Sequence, residues 1–189
     1  IIFANTLLVD RREGITDLVI EEGVKYIANS VYNVSPSKST ITSISLPNSL
    51  IRIHNYAFAD LKGISEISFP ANLEYIGDYA FQTCSNLRTI NYSANSKLTH
   101  IGNYAFANID TNLQIDSQVP AITTISIPSS VEYIGTKAFA TNVNVKTINF
   151  NNTKSLKYIG EGAFSELYSL TSFFVPASVE TIGADMLKP

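Results

Sequence analysis

The sequence predicts a solenoid of short stacked repeats, built on parallel β-strands with little regular helix. Three observations carry this prediction. A ten-residue phrase recurs as NLEYIGDYAF at 72–81, SVEYIGTKAF at 130–139 and SLKYIGEGAF at 155–164, its apolar letters fixed and the others drifting. Aligned on its last residue, the chain gives the column Tyr32, Phe58, Phe81, Phe106, Phe139, Phe164, Leu187, at spacings of 26, 23, 25, 33, 25 and 23 residues. The template is L-x-x-I-x-I-P-x-x-L-x-x-I-G-x-x-A-F, and its seven apolar positions hold an apolar or aromatic residue in all 49 slots of seven copies. Chance does not fill them in a chain that is 45% apolar. Self-similarity at a period of roughly 20–50 residues is the mark of a repeat architecture.

The elements follow in order. Residues 1–14 lack the template, and IIFANTLLVD is apolar, so this segment is expected to form a strand or hairpin capping the first repeat. One continuous domain of seven repeats is expected next, at 15–40, 41–63, 64–86, 87–121, 122–144, 145–169 and 170–189. Each repeat opens with L-x-x-I-x-I, in which Ile125 and Ile127 show the inward period of a strand. β-branched side chains suit that geometry. Pro47, Pro70, Pro128 and Pro176 follow the strand and, having no N–H, end its ladder. Ile27, Ile53, Ile76, Ile101, Ile134, Ile159 and Ile182 form a column that is isoleucine throughout. The next residue is Gly77, Gly102, Gly135, Gly160 or Gly183, with Ala28 and His54 in the first two repeats. That glycine is expected to take a backbone shape that a Cβ resists. A single unit cannot bury its own apolar edge, whereas stacked units share one core and their stability sums over neighbours. Each fully buried large side chain contributes roughly 1.5–3 kcal/mol.

The phrase ITTISIPSSVEYIGTKAFA resembles the BspA-type, or treponemal-type, leucine-rich repeat, and the resemblance runs from Ile15 to about Leu187. It implies a right-handed curved superhelix. The L-x-x-I-x-I segments would form a parallel sheet on the concave face, with short strands, turns or 3-10 segments on the convex face. It further implies a bacterial or protozoan surface or secreted protein, linked to adhesion and to binding host or microbial proteins.

Departures from the template mark where function can enter, because loops on a rigid scaffold often carry it. Ten extra residues lie between Phe106 and Ile122, and three lie within NVSPSKST between Tyr32 and Ile41. Two more excursions, of two residues each, fall at SANSK and NNTKS. Drift of surface loops explains such insertions, and so does a loop shaping a binding edge. At its far end the chain reads MLKP, so either further chain follows or Met186 and Leu187 act as a weak cap. The start at Ile1, with no signal core, suggests a processed or excised piece.

Composition excludes several classes. The net charge is −3 and the pI about 5.3, so no basic footprint points to nucleic acid. No apolar run approaches the roughly 18 residues of a membrane span, so this segment is not expected to insert in a bilayer. Cys84 is the one cysteine, which excludes an internal disulfide, and its column (Leu61, Ile109, Leu167) reads as buried packing. His54 and His100 occupy different columns and have no cysteine or paired carboxylate at metal-ligand spacing. No G-x-S-x-G, Walker-type or H-E-x-x-H motif occurs. No catalytic residue, cofactor or metal is therefore assigned. Sequons stand at Asn33, Asn91 and Asn151.

Two surfaces remain. Positions two, three and five of each repeat face outward from the strands, and fifteen of these 21 residues are Ser, Thr or Asn. The charged exceptions are Asp17, Glu66, Arg88 and Lys146, and the apolar ones are Val19 and Phe174. Such a face suits a soluble sheet, and equally a hydrogen-bonding groove for a protein segment or glycan. Tyrosines recur elsewhere, at Tyr26, Tyr75, Tyr133 and Tyr158, and at Tyr56, Tyr79 and Tyr104. They either staple neighbouring repeats or present an interface strip. The candidate binding surface is Tyr56, Tyr79 and Tyr104, the loop residues Asp110 and Asp116, and the strand residues Glu66, Arg88, Thr89, Asn91, Thr124 and Ser126. The expected function is a monomeric, non-catalytic recognition or adhesion module at the cell surface or secreted. Its partner would be a protein or glycan on a host or neighbouring cell. The alternative is a structural spacer that presents another domain.

Overall fold

The computed structural model describes residues 2–3, 6–7, 13–33, 38–109 and 122–188. It is a parallel-strand β-solenoid of about six turns, with no helix among the described residues. Strands β1 (Ile2–Phe3) and β2 (Thr6–Leu7) precede the repeats. One set of strands then comes from the L-x-x-I-x-I segments: β3 (Asp17–Val19), β5 (Ser43–Ser45), β7 (Glu66–Phe69), β9 (Thr89–Tyr92), β11 (Thr124–Ser126) and β13 (Thr147–Asn149). A second set comes from the step before the glycine position: β4 (Tyr26–Ile27), β6 (Arg52–Ile53), β8 (Tyr75–Ile76), β10 (His100–Ile101), β12 (Tyr133–Ile134), β14 (Tyr158–Ile159) and β15 (Thr181–Ile182).

The two sets behave differently. The first pairs only as β3–β5, β7–β9 and β11–β13, and residues 170–175 of the seventh copy form no strand. The second makes a nine-stranded sheet in the order β1-β2-β4-β6-β8-β10-β12-β14-β15, parallel throughout except that β1 is antiparallel to β2. The expected principal sheet is thus interrupted. The unbroken ladder runs along the short strands instead, where each rung sets one isoleucine beside the next.

The core follows the columns. Ile27, Ile53, Ile76, Ile101, Ile134 and Ile159 are each 0% exposed, whereas Ile182 at the last rung is 47% exposed. Tyr32, Phe58, Phe81, Phe106, Phe139 and Phe164 stack as a buried aromatic spine with ring centroids 5.1, 5.1, 5.3, 5.3 and 5.6 Å apart. Aromatic pairs add about 0.5–1.5 kcal/mol each beyond their buried area. Pro47, Pro70, Pro128 and Pro176 each accept, through the carbonyl, the N–H three residues on, so the proline also opens the turn.

The glycine column has a different cause from the expected one. None of Gly77, Gly102, Gly135, Gly160 and Gly183 is in the left-handed region. A Cβ on Gly135 would instead lie 2.6 Å from the backbone nitrogen of Asn103 and from the carbonyl carbon of Gly102. Close approach of the preceding repeat selects glycine there. The left-handed backbone lies two residues downstream, at Ser30, Tyr56, Tyr79, Tyr104, Lys137, Gly162 and Asp185, with φ between 51° and 59°. In the first six of these the N–H is turned toward the following repeat, as when Tyr56 N donates to Asp78 O at 2.9 Å, while the short strands donate backward. Beside it runs a side-chain ladder. Asn29, Asn55, Asp78 and Asn103 each accept, through Oδ1, the N–H of the same column in the next repeat, at 3.1, 2.9, 2.7 and 2.8 Å.

Candidate functional site

The outward positions of the first strand set lie where the pattern puts them. Of the 21, twenty are exposed, Ser126 is half-buried, and none is buried. Register sets them in rows: Glu66 beside Thr89, Ser68 beside Asn91, Thr124 beside Thr147 and Ser126 beside Asn149. Some are tied laterally, with Asn91 Nδ2 donating to Ser68 Oγ at 3.2 Å and Ser43 Oγ to Asp17 Oδ1 at 2.6 Å. Glu66, Thr89 and Asn91 therefore share the β7–β9 pair, with Arg88 just before β9, whereas Thr124 and Ser126 belong to the separate β11–β13 pair.

Tyr56, Tyr79 and Tyr104 sit apart from both, on the left-handed turn after the short strands. Their rings are stacked at 4.5 and 4.9 Å within 7° of parallel, and the ammonium of Lys137 lies 5.8 Å from the Tyr104 centroid. The inner faces are thus occupied by neighbouring rings, and the strip is most open at Tyr56 (38% exposed). Burial, then the neighbouring phenols Tyr56 and Tyr104, raise the Tyr79 hydroxyl above its ordinary range. An open groove of about 380 Å³ adjoins Tyr56, lined by Asn33, Asp60, Gln82, Thr83 and the exposed Ile109. Lys38 bridges its rim, pairing with Asp60 at 2.9 Å and donating to Asn33 Oδ1 at 3.0 Å. Asp110 and Asp116, and most of the 107–121 excursion, lie outside the described residues.

The second tyrosine column is a staple. Tyr75, His100, Tyr133 and Tyr158 stack at 4.5, 4.4 and 4.7 Å, with the Arg52 guanidinium 5.3 Å over Tyr75. Burial, with Arg52 adding to it and Asp78 opposing, lowers the His100 pKa, and burial and Arg52 lower that of His54. Cys84 is buried, its Sγ 3.3 Å from the Phe58 carbonyl, and burial pushes its thiol up to about 12, so it is no nucleophile at neutral pH. Its column is buried at Leu61 and Leu167, but Ile109 departs from it and is 47% exposed. No cluster of three His, Cys, Asp or Glu that could hold a metal occurs among the described residues.

Pattern reading missed three features. The left-handed column carries no signature because tyrosine is not a left-handed residue. The Asn29, Asn55, Asp78 and Asn103 column was visible as a row of short amide or carboxylate side chains. Asn142 is buried and its Nδ2 donates to the carbonyls of Phe106 and Phe139 at 2.9 and 2.8 Å, tying repeat five to the point where the long excursion leaves.

Stacked two-strand turns around an apolar column core, with ladders of polar side chains outside, define a repeat solenoid. The chain belongs to the BspA-type leucine-rich repeat family, whose model matches residues 11–119 and 117–188 in six copies. Leucine-rich repeat domains generally mediate protein interactions and are typically non-catalytic. The fold is similar to that of a leucine-rich repeat protein of T. pallidum (TM-score 0.68, 18% identity, 88% of this chain and 72% of that one). It is also similar to leucine-rich repeat proteins of Eubacterium ventriosum (TM-score 0.67, 19% identity, 96% and 45%) and Bacteroides ovatus (TM-score 0.59, 21% identity, 94% and 49%). The chain thus spans less than half the length of the last two. No curated protein matches the sequence. No helix among the described residues is long and apolar enough to cross a membrane.

Proposed function

We propose that residues 15–189 are one continuous recognition module, non-catalytic, and displayed on a cell surface or secreted. It holds a rigid repeat surface against a protein of a host or microbial cell. One observation carries this reading: the in-register rows of exposed Glu66, Thr89, Asn91 and Thr124, with half-buried Ser126, on paired strands. A fixed scaffold with preorganised hydrogen-bonding side chains loses little entropy on binding. The Tyr56 edge and its groove form a second contact region, since tyrosine brings apolar area and a hydroxyl together.

Two variants test the proposal: Thr89→Lys with Asn91→Lys and Thr124→Lys, and a chain with 107–121 shortened to the usual repeat length. Binding to a panel of host proteins and cell surfaces should fall in both while thermal unfolding stays unchanged. Unchanged binding in both variants, with the fold intact, would leave the solenoid as a spacer that presents another domain.

A further inference from the structure

Repeat six changes two template positions together. Gly162 stands in the left-handed column that holds Tyr56, Tyr79, Tyr104 and Lys137 before it. Ser165 stands in the column held by Ala59, Gln82, Ala107 and Ala140. The missing side chain at Gly162 opens a notch of about 350 Å³ floored by Gly162 and Ser165. Ser165 is 6% exposed, and its Oγ has no hydrogen-bond partner among the described residues. That Oγ lies 3.3 Å from the point a Gly162 Cβ would occupy, with Lys137 Cγ at 3.1 Å, so the hydroxyl faces the notch beside the Lys137 stem. The Ser165 backbone is satisfied, its N–H bonded to Gly162 O and its carbonyl accepting Thr141 N, so only the hydroxyl wants a partner. A buried hydroxyl left unpaired is costly.

The walls carry charge. Glu161, Glu166 and Asp185 line the notch together with Lys137 and Lys188. Lys188 is paired with Asp185 at 3.5 Å, and the Lys137 ammonium is directed over Tyr104. Glu166 receives one long contact, from Thr141 Oγ1 at 3.4 Å, and Glu161 has no side-chain partner among the described residues. The carboxylates do not converge as a metal-ligand set. An anion would meet two uncompensated carboxylates. We infer that the notch binds an alkylammonium or guanidinium group, with Ser165 Oγ accepting one N–H and Glu161 and Glu166 facing the charge. Charge-assisted hydrogen bonds of this kind are the stronger class.

The test is a titration of the whole chain with arginine amide, followed by NMR at the backbone amides of Gly162, Ser165 and Glu166. Citrulline amide serves as the neutral isostere, and an arginine-containing peptide as the second probe. Saturable shifts at these amides are expected, with citrulline amide roughly tenfold weaker or more. Ser165→Ala keeps the notch and removes the hydroxyl; it should weaken binding several-fold, as should Glu161→Gln with Glu166→Gln. Gly162→Tyr fills the notch with the residue that repeats two to four already hold at this φ, and the Lys137 Cγ 3.1 Å from its Cβ is on a flexible stem that can give way, so it should fold and lose binding. Tighter binding of the peptide than of arginine amide would assign the cation to a protein side chain, and equal binding to a small amine. The inference is overturned if no shift saturates, leaving water as the partner of Ser165. It is also overturned if citrulline amide binds as well, or if Gly162→Tyr binds like the native chain.

Discussion

A methyl group added at Gly135 tests what holds successive repeats at their distance. Its Cβ would stand 2.6 Å from the Asn103 nitrogen and the Gly102 carbonyl carbon, and 2.7 Å from Asn103 Oδ1. Ordinary contact begins near 3.4 Å, so the methyl is about 0.8 Å too close. The atoms it meets are mostly backbone and cannot swing aside. Gly135 N is bonded to Ile101 O at 2.8 Å, and Thr136 N to Asn103 Oδ1 at 2.8 Å. Repeats four and five must therefore part locally. Overpacking of this kind costs about 1–3 kcal/mol. A stretched or lost Thr136–Asn103 bond adds about 0.5–1.5 kcal/mol. Against this stands the gain of about 0.4–1 kcal/mol that alanine brings by restricting the unfolded chain. Gly135→Ala should lose roughly 2–3 kcal/mol net, seen as a lower urea midpoint at unchanged m. Gly23→Ala is the comparison. There φ is +99° and nothing lies within 4 Å of the added Cβ, so the cost is conformational alone. If Gly135→Ala melts at or above the native midpoint, close backbone packing is not what selects glycine in this column.

Three further outcomes are expected. Ile134→Asp places a charge at a position that is 0% exposed, with no partner to pair it, and should unfold several repeats together; native-like melting of that variant would sink the column assignment. His54 and His100 have pKa values lowered by burial, so the unfolded chain takes up their protons first as the pH falls. Stability should be complete above about pH 6.5 and decline below it, and His100→Tyr should flatten part of that slope. A urea midpoint that does not move between about pH 8 and 5 would contradict this. Because no metal-ligand cluster occurs among the described residues, EDTA should leave the thermal midpoint in place, and a drop would reveal a bound ion.

The interior was legible in the sequence because each apolar position recurs in every copy. A buried column tolerates only shape-compatible residues, so the pattern survives drift elsewhere. In repeats one to six none of the 42 described template positions is exposed, and only at the open seventh do Ile182 and Leu187 reach solvent. The partition of the strands was less legible. A two-residue rung such as Tyr133–Ile134 shows no alternation, so its period cannot be seen, yet it carries the continuous ladder. The longer L-x-x-I-x-I strands alternate clearly and still pair only in twos.

The tyrosine strip shows why a candidate site is harder to read than a core. A bulky residue at positive φ is an outlier that needs a compensating gain. Tyr56, Tyr79 and Tyr104 adopt φ of 57°, 59° and 54°, and each stack between them offsets part of that strain. The column keeps tyrosine only while a ring lies next to it. It passes to Lys137, which covers the last ring with its ammonium, and then to Gly162, which adopts φ 58° without strain and covers nothing. Backbone geometry is therefore constant along this arc while the surface chemistry changes from aromatic to cationic to open. A repeat template averages over that change. Position-by-position departures from the template, and not the template itself, decide where this solenoid can hold a partner.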